Sequence, residues 1–273
     1  MTAILCVVLA CLALQGPAAS SPASRTADPV KERLDSTPRH HEWVDVKSGS
    51  RRVRSFVVFP ETKGKVQAVV LIHENKGLTD WVRSVADQVA EAGFIAIAPD
   101  LLSGMGPNGG NTDAFERVDA ATQAIYKLDA AQVTADLNAA ADHALSLPAC
   151  SGKVSVAGFC WGGAQSFEFA TKRKGLEAAY VFYGSAPKET ASLASITCPV
   201  YGFYGENDGR ITAAVEPTAE AMKKAGKTFE AMIFPGAGHG FLRSGESANA
   251  SAENRKAHAE AWARWKSLLA NAK

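Results

Sequence analysis

The sequence lacks an excess of charge of either sign, because 29 Lys and Arg residues face 28 Asp and Glu residues and leave a formal net charge of +1. This balance gives no reason to expect nucleic acid or an anionic membrane surface as a partner. No internal repeat divides the 273 residues, and no second domain is evident. The function must therefore be inferred from individual sites.

Long apolar runs are also lacking, except at residues 3–14. This run is too short to span a bilayer, and the small residues after it are typical of a signal-peptide cleavage site. We predict a signal peptide at 1–24, a linker rich in Ser, Pro and charge at 25–40, and the folded domain at 41–273. The protein is then periplasmic or secreted, with no membrane attachment after cleavage. The alternatives are an uncleaved apolar helix and lipid anchoring at Cys11.

Spacings typical of metal and nucleotide sites are missing as well. His73 and Glu74 are adjacent rather than one helical turn apart, and the other histidines show no ligand pattern. The glycines at 104, 106 and 109 formally match a dinucleotide-binding loop, but Pro107 lies inside the motif and no helix begins directly after it. We therefore expect neither a metal nor a cofactor.

The fold is indicated by two alternating periodicities. Short β-branched and apolar runs occur at RRVRSFVVFP, QAVVLIHE, FIAIAPDL, KVSVAGF, AAYVFYG, PVYGFYGE and FEAMIFPG. Helical spacing occurs at 79–92, 130–147, 161–172, 212–225 and 252–269. The alternation predicts one α/β domain with a doubly wound, mostly parallel sheet and helices on both faces. Catalytic residues of such sheets lie beyond the carboxyl ends of the strands.

The stretch VAGFCWGGA at 156–164 has the form of a strand that turns into a helix through one residue, Cys160. Glycines at 158 and 162 relieve crowding around the turn, and Trp161 begins the helix with an unpaired N–H. Cysteine in this position is an effective nucleophile. The alternative is an ordinary buried, apolar cysteine.

A thiol nucleophile needs a base and a group that orients the base. His239 lies in the loop GAGHG after the last predicted strand, and Asp208 lies in YGENDGR after another strand. The order nucleophile, acid, histidine is that of α/β-hydrolases. Glu206 is a rival for the acid, and an exposed loop histidine is the alternative for His239.

These residues carry a resemblance that extends over roughly residues 45–270. The matching segments are HENKGL at 73–78, APDLL at 98–102, GFCWGGA at 158–164, VFYG at 181–184, the GEND loop and HGFLR at 239–243. The chain resembles the dienelactone hydrolase family of α/β-hydrolases. The resemblance implies a catalytic triad of Cys160, His239 and Asp208 that acts on a carboxylic ester or lactone.

The same resemblance implies roles for further residues. Glu74 would contact the thiol and help to generate the thiolate when substrate binds. The backbone N–H groups of Asn75 and Trp161 would form the oxyanion hole. Tyr126 and Tyr183 would line the substrate-binding pocket, and Arg243 would contact a carboxylate of the substrate. Family members that cleave dienelactone carry a second carboxylate-binding arginine at the position that maps loosely to Thr122 here, so the resemblance implies the chemistry and leaves open whether dienelactone itself is a substrate.

We therefore expect an exported, monomeric hydrolase of small esters or lactones. The alternative is a non-catalytic ligand-binding protein or a thiol redox protein on the same fold. Asp208 and His239 argue for the hydrolase, because a binding protein needs neither.

Three of the five cysteines follow the predicted signal peptide. Cys150 and Cys198 each precede a predicted strand, on the edge opposite Cys160. A disulfide between them is our hypothesis for an oxidising compartment, and two separate buried thiols are the alternative.

Overall fold

The computed structural model describes residues 29–272. Its strands are β1 His41–Ser48, β2 Arg51–Val58, β3 Val66–Ile72, β4 Ile95–Pro99, β5 Cys150–Phe159, β6 Leu176–Phe182, β7 Val200–Gly205 and β8 Phe229–Phe234. They form one sheet in the order β1-β2-β4-β3-β5-β6-β7-β8. The β1–β2 and β2–β4 pairs are antiparallel, and the six strands β3 to β8 are parallel to one another. The predicted doubly wound, mostly parallel sheet is confirmed.

Helices cover both faces of this sheet. They are α1 Pro29–Ser36, α2 Asp80–Glu91, α3 Val118–Ile125, α4 Ala130–Ser146, α5 Trp161–Lys172, α6 Gly209–Thr212, α7 Val215–Lys224, α8 Phe241–Ser244 and α9 Ala252–Asn271. The helix predicted at 212–225 differs, since Ala213 and Ala214 separate α6 from α7. Strand β1 and helix α3 were not predicted.

Each parallel strand contributes to two cores, because successive side chains point to opposite faces. In β5, Val154 and Val156 belong to the core that includes side chains of α4, α5 and α7. Phe159 belongs to the other core, with α2 and α9, where the Trp265 ring packs edge-on against it at 6.1 Å between centroids. These two layers fix the end of β5, and with it the position of the next residue, Cys160.

The predicted linker at 25–40 contains regular structure in its described part. Residues 29–36 form α1, and the chain after it is bonded to Asp87 of α2. The Arg39 guanidinium donates to both Asp87 carboxylate oxygens at 2.9 and 2.8 Å, and the Thr37 hydroxyl donates to one of them. Asp87 is buried, so this bidentate pair compensates the burial of its charge. The segment is therefore part of the folded domain.

The proposed disulfide is also wrong, because Cys150 and Cys198 are both free, buried thiols. Cys150 begins β5 and Cys198 precedes β7, while β6 lies between these two strands. Strands separated by one neighbour are about 9.5 Å apart, which exceeds the Cα separation of a disulfide. Burial raises the pKa of Cys198 to about 11.

The predicted signal peptide at 1–24, including Cys11, lies outside the described residues and stays a prediction. Among residues 29–272, no helix combines the length and the apolarity needed to cross a membrane.

Candidate active site

The carboxyl ends of five strands meet at one edge of the sheet and deliver the predicted reactive residues there. In chain order, the strands are β3, β5, β6, β7 and β8. Glu74, Cys160, Tyr183, Asp208 and His239 follow them within a few residues. This placement follows from parallel pairing, as the sequence predicted.

Cys160 occupies a sharp turn between β5 and α5. Its backbone has φ 56° and ψ −114°, a conformation that costs a non-glycine residue about 1–3 kcal/mol. Its N–H donates to the Phe182 carbonyl at 3.0 Å, and its own carbonyl accepts the Ala164 N–H at 3.2 Å. These bonds and the packing of β5 hold the strained turn, and Cys160 remains half-buried.

Glycines let three backbone segments approach this turn closely. A Cβ on Gly158 would overlap the Gly162 carbonyl, and a Cβ on Gly162 would overlap the carbonyl oxygens of Ile72 and His73. The first turn of α5 therefore lies directly on the end of β3. Since these obstacles are backbone atoms, no rotamer change would relieve them.

His239 and Asp208 form the second part of the site. His239 Nδ1 lies 2.5 Å from Asp208 Oδ2. Asp208 is buried, and the His239 side chain is 36% exposed. The rival acid, Glu206, instead accepts the Gly236 backbone N–H at 2.8 Å. The geometry thus favours Asp208 as the partner that orients His239.

The Cys160 side chain completes this chain of contacts. Hydrogen bonds that the imidazolium donates to Cys160 and to Asp208, together with the negative charges of both groups, raise the pKa of His239 to about 9, although partial burial opposes the shift. The imidazolium form is therefore favoured at neutral pH. The arrangement can accept a proton from a thiol and hold the resulting cation beside the sulfur.

The raised pKa of His239 predicts a pH-dependent contribution to stability. Because the folded value lies above the ordinary value of 6.5, the contribution is fully present below pH 6.5 and is lost as the pH rises through 9. Since 36% of the side chain is exposed, water screens part of this contribution. Urea unfolding at about pH 6 and about pH 10 should show that the stability advantage of wild type over His239→Asn shrinks at the higher pH. An advantage that grows with pH would contradict the assignment.

The predicted oxyanion donors lie in the loop after β3, for Asn75, and at the first residue of α5, for Trp161. Neither the Asn75 nor the Trp161 backbone N–H has a hydrogen-bond partner within the described part of the chain. The Asn75 side-chain amide donates to the Tyr126 hydroxyl at 3.3 Å. Both N–H groups are thus available to an incoming oxygen, as an oxyanion hole requires.

His73 supports this loop rather than acting in it. Its Nδ1–H donates to the Glu74 carbonyl at 2.8 Å, and its Nε2 accepts the Leu101 N–H at 3.2 Å. Complete burial lowers the pKa of His73, so the neutral imidazole that these two bonds require is the stable form. Its ring stacks on that of Trp161, with 5.6 Å between centroids. His73 therefore joins the Glu74–Asn75 loop to the start of α5.

A cavity of about 150 Å³ opens beside the thiol. It is lined by Tyr126, Cys160, Trp161, Ala164, Tyr183, Ser185, Arg210, Ile211 and His239. Tyr183 is fully buried, with φ 42°, and its ring meets that of His239 edge-on at 5.1 Å. Burial, reinforced by the charge of Glu74, raises the pKa of Tyr183 well above its ordinary range, so it stays a neutral phenol. Both predicted pocket tyrosines therefore line one cavity with Cys160.

Glu74 and Arg243 differ from their expected places. Arg243 Nε donates to Glu74 Oε2 at 2.9 Å, and no hydrogen bond joins Glu74 to the thiol in the part of the chain that the structure describes. A buried carboxylate is better stabilised by a guanidinium than by a thiol, because the bond is charge-assisted. Both residues line a separate cavity of about 880 Å³, together with Trp81 and Thr112. The pair thus stands beside the Cys160 cavity rather than among its lining residues.

Sequence reasoning assigned no role to four residues that line the Cys160 cavity, namely Ala164, Ser185, Arg210 and Ile211. Ala164 and Arg210 each end a stretch that the sequence analysis singled out, GFCWGGA and YGENDGR, whereas Ser185 and Ile211 lie outside such stretches. Within residues 29–272, no group of three or more His, Cys, Asp or Glu side chains is placed to hold a metal ion.

Comparisons with known proteins identify relatives of this chain. Proteins of Escherichia coli K12 and Saccharolobus solfataricus, each provisionally named a carboxymethylenebutenolidase, are 29% and 27% identical to this chain over 196 and 251 residues. The first match covers 66% of this chain and 69% of the relative, and the second covers 81% and 95%.

Several solved structures have the same fold as this chain. A protein of Klebsiella pneumoniae, provisionally named a dienelactone hydrolase, has a TM-score of 0.75 at 23% identity and covers 86% of this chain and 99% of its own. A dienelactone hydrolase-like promiscuous phosphotriesterase from metagenomic libraries has a TM-score of 0.69 at 25% identity, with coverages of 85% and 98%. The sequence model of the Dienelactone hydrolase family matches residues 53–273. The chain therefore belongs to the dienelactone hydrolase family.

Proposed function

We propose that the protein hydrolyses a carboxylic ester or lactone through a covalent thioester on Cys160. The observation that carries the proposal is that Cys160 and His239 line one cavity while His239 is bonded to the buried Asp208. Membership of the family supports the reaction class. The names of the Escherichia coli and Saccharolobus solfataricus relatives point to a lactone as one suitable substrate.

The first half of the reaction forms the thioester. His239 takes the thiol proton, and the Cys160 sulfur attacks the ester carbonyl carbon. The developing oxyanion accepts hydrogen bonds from the N–H groups of Asn75 and Trp161. The tetrahedral intermediate collapses as His239 gives its proton to the leaving oxygen, and an alcohol or the opened end of a lactone is released.

The second half hydrolyses the thioester. A water molecule gives a proton to His239 and attacks the acyl carbon, and the intermediate expels the sulfur, so that an acid is released. Asp208 keeps Nδ1 of His239 protonated throughout, which directs Nε2 towards the reacting atoms. The chemistry requires no cofactor.

A non-catalytic ligand-binding or thiol redox protein is the competing proposal. A binding cavity gains nothing from the short Asp208–His239 contact or from the strained turn at Cys160. A two-cysteine redox site would need a second thiol near Cys160, whereas the other two cysteines among residues 29–272, Cys150 and Cys198, lie at the opposite edge of the sheet. Strain at a single half-buried nucleophile is typical of catalysis.

Incubation with p-nitrophenyl acetate and with unsubstituted lactones tests the proposal directly. We expect release of p-nitrophenolate and ring opening, and we expect iodoacetamide to stop both by alkylating Cys160. Failure to cleave any ester or lactone, with Cys160 unmodified and the protein folded, would overturn the proposal.

Glu74 provides a further prediction. Its carboxylate is buried beside the thiol site, whereas its partner Arg243 is 42% exposed and can turn towards a bound substrate. We propose that this movement of Arg243 would break its hydrogen bond to Glu74, and that the freed carboxylate would then assist thiolate formation. Glu74→Gln should then lower kcat by about 10²-fold while changing KM little.

Steady-state kinetics of Glu74→Gln and Glu206→Gln measure this effect. Glu206→Gln is the matched control, since it removes a carboxylate that bonds only the β8 loop. An effect of Glu74→Gln that is confined to KM would instead make Glu74 a substrate-contact residue.

A further inference from the structure

The glycine-rich segment after β4 has no role in the mechanism above. It leaves the sheet at Asp100 and turns back through a hydrogen bond from the Gly106 N–H to the Gly110 carbonyl at 2.9 Å. A Cβ on Gly110 would overlap the side chain of Ala114, so the loop packs closely on the residues that follow it. The segment is thus a compact loop that returns the chain to Thr112.

Asp100 and Thr112 close this loop with their side chains. Asp100 Oδ1 accepts the Thr112 hydroxyl at 2.7 Å, and Oδ2 accepts the Thr112 N–H at 2.9 Å. Oδ1 also accepts the Leu102 N–H at 3.0 Å. Asp100 is buried, and these three bonds compensate the burial of its carboxylate. The hydrogen of the Thr112 hydroxyl therefore has a fixed direction, towards Asp100.

The same hydroxyl holds the turn that follows β3. Because its hydrogen is donated to Asp100, the Thr112 oxygen presents a lone pair on its other side. There it accepts the Leu78 N–H at 3.0 Å. A Cβ on Gly77 would overlap Thr112 Oγ1, so the turn lies directly on this side chain.

The turn after β3 carries one of the two proposed oxyanion donors, the Asn75 N–H. It is closed by the Gly77 N–H, which donates to the Glu74 carbonyl at 3.3 Å. The Glu74 carbonyl also accepts the His73 Nδ1–H, and the other nitrogen of His73 accepts the Leu101 N–H. Both ends of the turn are therefore attached to the segment after β4, and the Asn75 N–H lies between these two attachments.

We infer that Asp100 and Thr112 are positioning residues for the oxyanion hole, and that the Thr112 hydroxyl sets the direction of the Asn75 N–H. This role rests on the proposed hydrolytic function. Neither residue lines the Cys160 cavity, so their effect on the reaction would pass through the turn. An oxyanion donor acts through its placement, since a hydrogen bond weakens steeply as its angle departs from linear.

Two reactions of Cys160 separate the oxyanion hole from the nucleophile. Hydrolysis of p-nitrophenyl acetate passes through a tetrahedral oxyanion, whereas iodoacetamide alkylates the sulfur by displacing iodide and forms no oxyanion. The ratio of kcat/KM for the ester to the rate constant for alkylation therefore reports the oxyanion hole. A general loss of folded protein or of thiolate would lower both rate constants and leave the ratio unchanged.

Thr112→Val removes the hydroxyl and keeps the outline of the side chain. It should lower this ratio by about tenfold or more, which is part of the roughly 10²–10³-fold that loss of one oxyanion donor costs. The alkylation rate constant alone should stay close to that of wild type. Thr112→Ser keeps the hydroxyl and should retain most of the wild-type ratio.

Thr218→Val is the matched control. Thr218 and Thr112 are each 9% exposed, but the Thr218 hydroxyl donates to the Ala214 carbonyl beside α7 and lines neither cavity of the site. Its loss should leave the ratio unchanged. Circular dichroism spectra of the variants check that each is folded.

Asp100→Asn is the second variant if Thr112→Val does not fold. Its amide keeps an oxygen that can accept the Thr112 hydroxyl, but its NH₂ group cannot accept the Thr112 N–H. The pair should loosen, and the ratio should fall in the same selective way.

The positioning role is overturned if the folded variant keeps the wild-type ratio, or if Thr218→Val lowers the ratio equally. It is also overturned if ester cleavage and alkylation fall together, since the hydroxyl would then support the site as a whole. Wild type that is alkylated but cleaves no ester would overturn the hydrolase itself. An unchanged ratio in an active enzyme would overturn only the role of Asp100 and Thr112.

Discussion

Cys160→Ala is expected to lower ester hydrolysis by about 10⁴-fold or more, because it removes the only atom proposed to bond the acyl group. The fold should persist, since the side chain is half-buried and the turn is held by backbone bonds to Phe182 and Ala164. Initial rates with p-nitrophenyl acetate and a circular dichroism spectrum check both statements. Turnover that survives in a folded alanine variant would exclude Cys160 as the nucleophile.

Cys160→Ser replaces the sulfur nucleophile with an oxygen nucleophile on a side chain of similar shape, and it serves as the companion variant. It should be much weaker than wild type, because a hydroxyl needs fuller assistance from the base than a thiol does. Wild-type activity in the serine variant would mean that the thiol has no particular role.

Gly162→Ala is expected to have the largest effect on the fold of the site. The added Cβ would overlap the carbonyl oxygens of Ile72 and His73, which are backbone atoms of β3 and of the residue after it. Helix α5 would have to move away from β3, and the turn at Cys160 would move with it. We expect the free energy of unfolding to fall by about 3 kcal/mol, together with loss of activity.

Gly64→Ala is the control for this variant. Nothing lies within 4 Å of the Cβ that it would add, and its φ does not lie in the left-handed region. Its stability should match or slightly exceed that of wild type, because alanine restricts the unfolded chain. Urea midpoints of the two variants measure the difference, and equal midpoints would contradict the close packing of α5 on β3.

The position of Cys160 could be predicted from local sequence because the constraint itself is local. Gly158 and Gly162 permit a turn that few other residues allow, and a strand and a helix flank it directly. Asp208 and His239 were predictable for a related reason: each follows a strand, and parallel strands deliver such residues to one edge.

Contacts between segments that are distant in the chain could not be predicted from local sequence. Glu74 and Arg243 are 169 positions apart, and their pairing depends on where α8 packs against the β3 loop. The disulfide hypothesis failed for the same reason, because the order of strands decides whether Cys150 and Cys198 are neighbours, and β6 separates them. Arg210 carried no signal, since an arginine in a polar loop is usually solvated and only the folded loop turns it to the cavity.

The segment 29–40, which contains α1 and Arg39, shows that composition alone does not reveal local structure. A segment rich in Pro, Ser and charge is typical of a linker, yet the charge of Arg39 is used to compensate the buried Asp87. Without a view of α2, the sequence offers no partner for Arg39.

The central claim is that an acyl group is bonded to the Cys160 sulfur during turnover. Acid quenching of wild type within the first turnover with p-nitrophenyl acetate, followed by peptide mass spectrometry, tests this claim most directly. The account predicts an acetyl group on the peptide that contains Cys160, together with a burst of p-nitrophenolate of one equivalent or less. Rapid turnover by wild type with no acetyl group on Cys160 would contradict it. Turnover by Cys160→Ala with an acetyl group on a different residue would contradict it as well.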